Sequence, residues 1–345
     1  MIDTRGLEIL SFIQNQPGCS SKGIHDKLTT GISYATVKRI LVQLSSDNLL
    51  FTKGQGKGTK YFISAAFELL QSIDIDKYYQ KEIDEREIKE DFNFGIFEVL
   101  GINEIFTESE LLKLLNLQKQ FKNNIDQLSE LEYKKELERL AIDLSWKSSQ
   151  IEGNTYSLLE TERLLKDKET AAGKTKEEAI MLLNHKDAID FIVANPDYIM
   201  PLSVSKIEDI HSLLIKELGI DKNLRKRRVG ISGTNYRPLD NEFQILEALN
   251  KMCDIINSKE NVFEKALLVL ILISYIQPFM DGNKRTARIV SNAILMNYQH
   301  CPISFRTVDS VDYKKAMLLF YEQNNISRFK EIFINQFEFA VNTYF

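Results

Sequence analysis

Cysteine is scarce in this sequence, and long apolar runs are missing from it. The three cysteines, Cys19, Cys253 and Cys301, are widely separated and form neither a metal-ligand spacing nor a disulfide framework, which favours a reducing compartment. The longest apolar run, 266–276, is about half of the ~20 residues that a membrane-spanning helix needs. The first residues lack a basic start followed by an apolar core, so we predict no signal peptide. We therefore expect a cytoplasmic protein with no membrane contact.

Positive charge is concentrated at the N-terminal end of the chain. Residues 1–64 carry eight Lys or Arg and four Asp or Glu, a net charge of +4, whereas all 345 residues together have a formal net charge of −5. A basic module joined to an acidic body is a common arrangement in proteins that bind nucleic acids. The chain is also long enough, and apolar enough at 43%, for a large core and more than one domain.

Three helical patterns and one hairpin pattern fill residues 1–66. Apolar residues recur at helical spacing in the first and third segments, and Ser33 is suited to cap the third helix. The stretch LLFTKGQGKGTKYFI then has two strand-like runs around a Gly- and Lys-rich turn. This order resembles a winged helix-turn-helix domain, whose third helix would enter the major groove of DNA. The expected DNA contacts are Lys38, Arg39, Lys53, Lys57 and Lys60; a domain used only for protein contacts is the alternative.

The rest of the chain is predicted to be mainly α-helical. Residues 67–92 are rich in charge and predict a connecting helical linker, and helical periodicity dominates residues 93–345. The stretch RRVGISGTNYRPLD, at 227–240, is the exception, because its β-prone pieces, glycines and Pro238 predict an irregular hairpin or flap.

The stretch SYIQPFMDGNKRTAR, at 274–288, holds the densest cluster of reactive side chains. Pro278 should end the apolar helix that precedes it, and a new helix should begin near 283–286. The intervening loop then lies at a helix N-terminus, where free N–H groups and the helix dipole favour anions. Two arginines three residues apart and one carboxylate suited to Mg²⁺ complete a predicted polyphosphate site. A solvated polar turn capped by an aspartate is the alternative.

Two motifs in this chain resemble those of the Fic family. QPFMDGNKRTAR is similar to the signature loop His-Pro-Phe-x-Asp/Glu-Gly-Asn-Gly/Lys-Arg-x-x-Arg and departs from it only at Gln277. SSQIEGN, at 148–154, resembles the family's inhibitory motif through Ser148, Glu152 and Gly153, on a helix expected around 145–153. The resemblance covers roughly residues 93–345. It implies a Fic-type helical bundle with a small β-hairpin flap, behind the N-terminal winged helix.

The resemblance also implies roles for individual residues. In Fic proteins that transfer AMP, the loop holds ATP and Mg²⁺ while a target hydroxyl attacks the α-phosphate. Carried over, Asp281 would bind the metal, Arg285 would hold phosphate oxygens and Arg288 would reach the γ-phosphate. The phosphate cradle would be formed by Gly282, Asn283 and Lys284, with Ile231 of the flap and, at the nucleoside, Tyr321 and Glu322. An ion pair between Glu152 and Arg288 would withhold the γ-phosphate site and misalign ATP, and residues 231–235 would dock the target segment.

Gln277 stands where the family has the histidine that accepts the proton of the attacking hydroxyl. A neutral amide has no useful basicity, and loss of a general base costs roughly 10²–10⁴-fold in rate. The four histidines, His25, His185, His211 and His300, all lie outside the loop, and two of them, at 185 and 211, sit in helical patterns typical of structural residues. Gln277 is consistent with a natural variant of weak or altered activity, a nucleotide sensor without catalysis, or an engineered inactive form.

The function predicted from these residues is that of an ATP- and Mg²⁺-binding protein adenylyltransferase. It would be restrained by Glu152, weakened by Gln277, and directed at a Ser, Thr or Tyr hydroxyl of a target protein or of the chain itself. The competing hypothesis is a non-catalytic, nucleotide-sensing transcriptional regulator that binds DNA and uses its bundle to sense a ligand or to form a homodimer.

Overall fold

A computed structural model describes residues 4–28, 31–64 and 66–345 of the chain. The N-terminal part consists of α1 Thr4–Asn15, α2 Ser21–Lys27, α3 Tyr34–Ser46, β1 Leu50–Lys53 and β2 Lys60–Ile63. The Ser33 side chain caps α3 by accepting a hydrogen bond from the Thr36 amide. The two strands pair antiparallel, with Leu50 opposite Ile63. Three helices and a hairpin thus follow one another in the predicted order, and their identification as a winged helix stays a prediction.

The connecting segment, residues 67–92, contains less helix than predicted. It forms α4 Phe67–Leu70, α5 Ile75–Tyr79 and one 3-10 turn, Ile83–Glu85, with irregular chain between them. Most of its charged side chains are exposed, and no apolar stripe is wide enough to hold one continuous helix against the body.

A helical bundle occupies the remainder of the chain. Its helices are α6 Ile96–Ile102, α7 Glu108–Ile125, α8 Glu130–Ile151, α9 Leu158–Asp167, α10 Lys176–Ala194, α11 Val204–Leu214, α12 Glu242–Ser258, α13 Val262–Ile276, α14 Asn283–Asn297, α15 Ser310–Gln323 and α16 Ser327–Tyr344. Capping boxes begin α7, α8, α9 and α10, each with a glutamate at the third position. Every residue of α13 from Phe263 to Ile276 is buried, and α14 packs closely along it. The apolar helix is therefore the centre of the bundle, as its sequence predicts.

The mainly helical fold is confirmed, but the flap, residues 227–240, is not the predicted β-hairpin. The flap contains no strand, and its one β-bridge joins Arg237 to Asp91 of the connecting segment. The Arg237 amide donates to the Glu90 carbonyl at 2.6 Å. A positive φ at Gly233 and the missing N–H of Pro238 interrupt extended pairing within the flap. Its backbone therefore pairs with the connecting segment instead of with itself.

No helix in the described part of the chain combines the length and the apolar character that crossing a bilayer requires.

Candidate functional site

The motif loop, residues 277–282, joins the central helix α13 to α14. Helix α13 ends at Ile276 and is capped by Gln277, which adopts a left-handed conformation with φ 51° directly before Pro278. Gly282, with φ 78°, precedes the first residue of α14. A Cβ atom at this glycine would lie 3.2 Å from Cε1 of His211, so glycine is required both by the backbone and by the neighbouring ring. The loop therefore leads directly into the N-terminus of α14, and the Gly282 amide donates to Asp281 Oδ1 at 2.6 Å.

The side chain of Gln277 is engaged in bracing this loop. Its Nε2 donates to the Ser274 carbonyl at 2.6 Å, and its Oε1 accepts from Asn283 Nδ2 at 3.0 Å. Asn283 in turn accepts from the Phe279 amide at 2.8 Å. Both polar ends of the Gln277 amide are thus hydrogen-bonded to the helices that flank the loop, and its oxygen is not a proton acceptor of useful strength.

Asp281 of the loop forms an ion pair with Arg285 of α14. The Asp281 side chain is 63% exposed, whereas that of Arg285 is 1% exposed, and their closest charged atoms are 3.3 Å apart. Burial lowers the pKa of Arg285, and the Asp281 and Glu152 carboxylates partly oppose that effect. One exposed carboxylate beside a phosphate-binding turn fits Mg²⁺, which binds to proteins through one or two carboxylates plus substrate phosphates and water. The described residues contain no group of three or more His, Cys, Asp or Glu side chains arranged for a metal.

Glu152 is held by two cations of α14. Its Oε1 accepts from Arg288 Nη2 at 2.6 Å, and its Oε2 accepts from Lys284 Nζ at 3.1 Å. The residue ends α8, and Gly153, with φ 98°, turns the chain away after it. Burial alone would raise the pKa of Glu152, but the charges of Arg288 and Lys284 outweigh it and hold that pKa below the ordinary value. The carboxylate is therefore ionised at neutral pH, and the ion pair that the family resemblance implies is present.

Ser148 connects this ion pair to a buried histidine. Ser148 Oγ accepts from Arg288 Nε at 2.8 Å and lies 2.7 Å from His185 Nε2. Burial and the nearby charges of Arg288 and Arg285 hold the pKa of His185 well below its ordinary value. Ser148 Oγ is thus within hydrogen-bonding distance of both the Arg288 guanidinium and the His185 ring. Both Ser148 and His185 are fully buried.

His211 packs against the motif loop and the first turn of α14. Its ring stacks on Phe279 with the centroids 3.6 Å apart, and its Nδ1 lies 3.2 Å from Thr286 Oγ1. Burial lowers the pKa of His211 to about 4. The ring is therefore neutral and packed in the core, so this histidine, like His185, has the structural setting that its helical pattern predicts.

A cavity of about 340 Å³ lies between the flap and the motif loop. Its lining includes Glu152, Ile231, Gln277, Asp281, Gly282, Asn283 and Lys284, together with Tyr313, Met317 and Tyr321 of α15. Eight of the residues that the sequence singles out, Tyr321 among them, thus line one cavity. Arg285 and Arg288 are buried and are not among the residues that line it. Tyr313 and Met317 were not singled out from the sequence, since an apolar helical stripe gives no sign of facing a cavity.

Glu322 lies outside this cavity, contrary to its predicted nucleotide contact. Its side chain is fully buried, Arg86 Nη1 donates to its Oε1 at 2.9 Å, and the Tyr78 hydroxyl donates to its Oε2 at 2.6 Å. A carboxylate in the interior requires such partners, and they direct it toward the connecting segment. The sequence gives no local signal for this contact, because Arg86 is one of many charged residues in its stretch.

The basic residues of the N-terminal part lie mainly at the surface. Lys38, Arg39, Lys53 and Lys60 are exposed, while the side chain of Lys57 lies outside the described residues. Lys53 Nζ lies 5.4 Å from the ring centroid of Phe62. Arg39 also lines a groove between α3 and the bundle, opposite Glu110 and Glu331. DNA binding by this surface stays a prediction.

Comparison with known proteins relates this site to one family. Residues 201–295, which include the flap and the motif loop, match the model of the Fic/DOC family. Protein adenylyltransferase Fic of Nematostella vectensis is 31% identical over 173 residues, covering 48% of this chain and 40% of that protein. Protein adenylyltransferase fic-1 of Caenorhabditis elegans is 24% identical over 174 residues, covering 48% and 34%. The chain thus spans less than half of the length of these curated relatives.

Solved structures show the same fold. Residues 134–508 of Fic-1 from C. elegans superpose with a TM-score of 0.60 at 18% identity, covering 68% of this chain and 72% of that one. A Fic domain-containing signalling protein from Bacteroides thetaiotaomicron superposes with a TM-score of 0.59 at 19% identity, covering 67% and 95%. The likeness extends over about two thirds of the chain, beyond the residues that the family model matches.

Proposed function

Because this chain carries a domain of the Fic/DOC family, we propose that it transfers AMP from ATP to a hydroxyl group on a protein. In this reaction a Ser, Thr or Tyr oxygen bonds to the α-phosphorus of ATP. The bond from that phosphorus to the bridging oxygen breaks, and pyrophosphate leaves. The proton of the hydroxyl passes to water, since Gln277 cannot hold it. The curated relatives named as protein adenylyltransferases support this assignment.

The cavity supplies the groups that such a reaction needs. The amides at the start of α14 attract phosphate oxygens, and Arg285 and Lys284 add positive charge beside them. Asp281 would hold Mg²⁺, which would neutralise negative charge on the phosphates. The flap borders the same cavity through Ile231, and it is where a target segment docks by backbone pairing.

The observation that carries the proposal is the contact of Glu152 with both Arg288 and Lys284. The Glu152 carboxylate binds two cations, Arg288 and Lys284, that would otherwise bind the terminal phosphate of ATP. It therefore occupies the position of that phosphate in our proposal. We infer that Glu152 restrains the enzyme, because ATP must displace it or bind with its α-phosphate misaligned. Such a restraint is useful only at a site that still binds nucleotide.

Gln277 weakens the transfer step without dismantling the site. Its amide stabilises the loop through hydrogen bonds with Ser274 and Asn283. The absence of a general base lowers the rate of AMP transfer by roughly 10²–10⁴-fold. The same feature supports the second candidate, a nucleotide-sensing regulator. In that case, ATP occupancy changes how the basic N-terminal part binds DNA.

The test uses ATP labelled at the α-phosphate, with Mg²⁺, and three proteins. These are the unaltered chain, Glu152→Gly, and Glu152→Gly combined with Gln277→His. Label retained by Glu152→Gly alone means that Glu152 is a working restraint and that Gln277 still permits transfer. Label seen only after histidine is restored favours the sensor. If ATP binds and no protein retains label, the transfer proposal is wrong.

DNA binding separates the two candidates further. Affinity for a DNA duplex at low salt, with and without ATP, is measured on the full chain. Phosphate contacts make such affinity strongly dependent on salt. Negligible affinity at low salt would eliminate the regulator.

A further inference from the structure

We propose that Arg86, in the connecting segment, is a positioning residue for the flap. Its guanidinium joins the Gly233 carbonyl of the flap to the Glu322 carboxylate of α15, and so fixes the flap above the cavity. This inference rests on the proposed function, in which a target segment docks along the flap. It gives the connecting segment a part in the site, although the segment lies more than a hundred residues before the residues that it holds.

The contacts of Arg86 are those of a buried bridge. Its side chain is 4% exposed. Nη1 donates to Glu322 Oε1 at 2.9 Å, and Nη2 donates to the Gly233 carbonyl at 3.0 Å. A planar guanidinium can hold two acceptors at fixed angles, whereas an ammonium group cannot reproduce that fork. The residue thus ties a helix to a loop through one rigid group.

Neighbouring contacts of the connecting segment fall on the same side of the flap. Asn235 Nδ2 donates to Asp84 Oδ1 at 3.1 Å. The Arg237 amide donates to the Glu90 carbonyl at 2.6 Å. Gly233, Asn235 and Arg237, which are alternate residues of the flap, are therefore all hydrogen-bonded to the connecting segment. Among these contacts the Arg86 bridge is the most buried, because Asp84 and Arg237 are both exposed.

The two structures that Arg86 joins are two walls of the cavity. Flap residues 229–232 line the cavity, and Gly233 is the next residue. Tyr321 lines it from α15, and Glu322 is the next residue of that helix. A change in the Arg86 bridge therefore alters the distance between flap and helix, while the phosphate-binding motif loop on the opposite wall is untouched.

Two variants distinguish the effect of losing the Arg86 hydrogen bonds from the effect of leaving a buried charge unpaired. Arg86→Lys keeps a cation beside Glu322 but loses the fork. The double variant Arg86→Gln with Glu322→Gln removes both charges, so that no unpaired charge stays buried. Arg306→Lys is a matched control, because Arg306 Nη1 donates to Asp143 at 3.1 Å and Asp143 also accepts from the Tyr344 hydroxyl, as Glu322 accepts from Tyr78.

Hydrogen exchange of the full-length chain tests the bridge without any assumption about activity. In Arg86→Lys and in the double variant, amides of residues 231–236 should exchange about tenfold faster, the equivalent of one lost hydrogen bond. Amides of α13 and α14 should be unchanged, and Arg306→Lys should leave the flap as it is. The proposal is overturned if both Arg86 variants leave flap exchange unchanged, or if the flap of the unaltered chain already exchanges like an unfolded peptide.

A second measurement links the bridge to the reaction. In the Glu152→Gly, Gln277→His background, Arg86→Lys should leave the Kd for ATP–Mg²⁺ within about twofold, since the Arg86 contacts with Glu322 and Gly233 do not involve the motif loop that binds phosphate in our proposal. It should reduce label transfer at subsaturating target about tenfold by raising KM. An equal fall in ATP affinity would mean a general structural role and contradict the positioning role. If the parent background transfers no label at all, the proposed function fails, while the exchange result still decides the role of Arg86.

Discussion

Arg288 Nη2 lies 2.6 Å from Glu152 Oε1, and Arg288 Nε lies 2.8 Å from Ser148 Oγ. One guanidinium is thus held by a helix that precedes it by more than 130 residues, and its partner Glu152 lines the cavity that binds phosphate in our proposal. An arginine in this state is not free to bind a γ-phosphate. The proposed restraint of the enzyme by Glu152 depends on that relationship.

Replacing Ser148 should loosen the restraint and lower stability. Ser148→Ala leaves Arg288 Nε without its acceptor and His185 Nε2 without its hydrogen-bond partner, so we expect a loss of about 1–3 kcal/mol in the free energy of unfolding. We also expect ATP–Mg²⁺ to bind more tightly, but less so than in Glu152→Gly. Urea unfolding and isothermal titration measure the two effects.

Two controls accompany the Ser148 variant. Ser148→Thr keeps the hydroxyl and should retain most of the stability. Ser149→Ala removes a buried hydroxyl for which no hydrogen-bond partner is found in the described part of the chain, so it should cost much less. Equal losses from the two alanine variants would argue against the hydrogen bonds of Ser148.

Acidification should destabilise the fold through His211. The folded protein binds a proton on His211 only near pH 4, against an ordinary value of 6.5. Between these values the unfolded chain binds more protons, so the free energy of unfolding falls as pH falls, by up to about 1.4 kcal/mol per pH unit for one group. His211→Gln should reduce this slope, as measured by urea unfolding from pH 6.5 to pH 4.5. His185 is also held neutral in the folded protein, so stability of the variant should still fall somewhat as pH falls. If stability falls as steeply with pH in His211→Gln as in the unaltered chain, His211 does not titrate in this way.

Gly282→Ala should distort the motif loop. An alanine at φ 78° is strained, and its Cβ would lie 3.2 Å from His211, so we expect a loss of about 1–2 kcal/mol in stability and weaker binding of ATP–Mg²⁺. Gly230→Ala, at the same cavity, is the control, because the space around its Cβ position is open. Thermal unfolding and nucleotide titration compare them, and equal behaviour of the two variants would refute the strain argument.

The parts of the site that could be predicted from sequence are those set by local rules. Pro278 and Gly282 define where one helix stops and the next starts, and these signals act within a few residues. The spacing from Ser148 to Glu152 is one helical turn, which puts both on one face. The resemblance to a known family supplied their partner, Arg288, which no local rule could have found.

The parts that could not be predicted depend on long-range pairing. Glu322 was expected at the nucleoside, yet Arg86, 236 residues earlier, draws it away. The flap was expected to be a hairpin, yet its Arg237 amide pairs with Glu90. Periodicity reports which face of an element is apolar, but it carries no information on which distant polar group will satisfy a given carboxylate or amide.

Relative affinity for ATP and ADP is the sharpest test of restraint by Glu152, because the two nucleotides differ by the γ-phosphate that this carboxylate replaces. Both Kd values are measured with Mg²⁺ for the unaltered chain and for Glu152→Gln, which keeps the size of the side chain and removes its charge. Release of Arg288 should raise the preference for ATP over ADP by about tenfold, the worth of one charge-assisted hydrogen bond. If the ratio of the two Kd values is the same in both proteins, Glu152 does not withhold the γ-phosphate site and the proposed restraint is wrong.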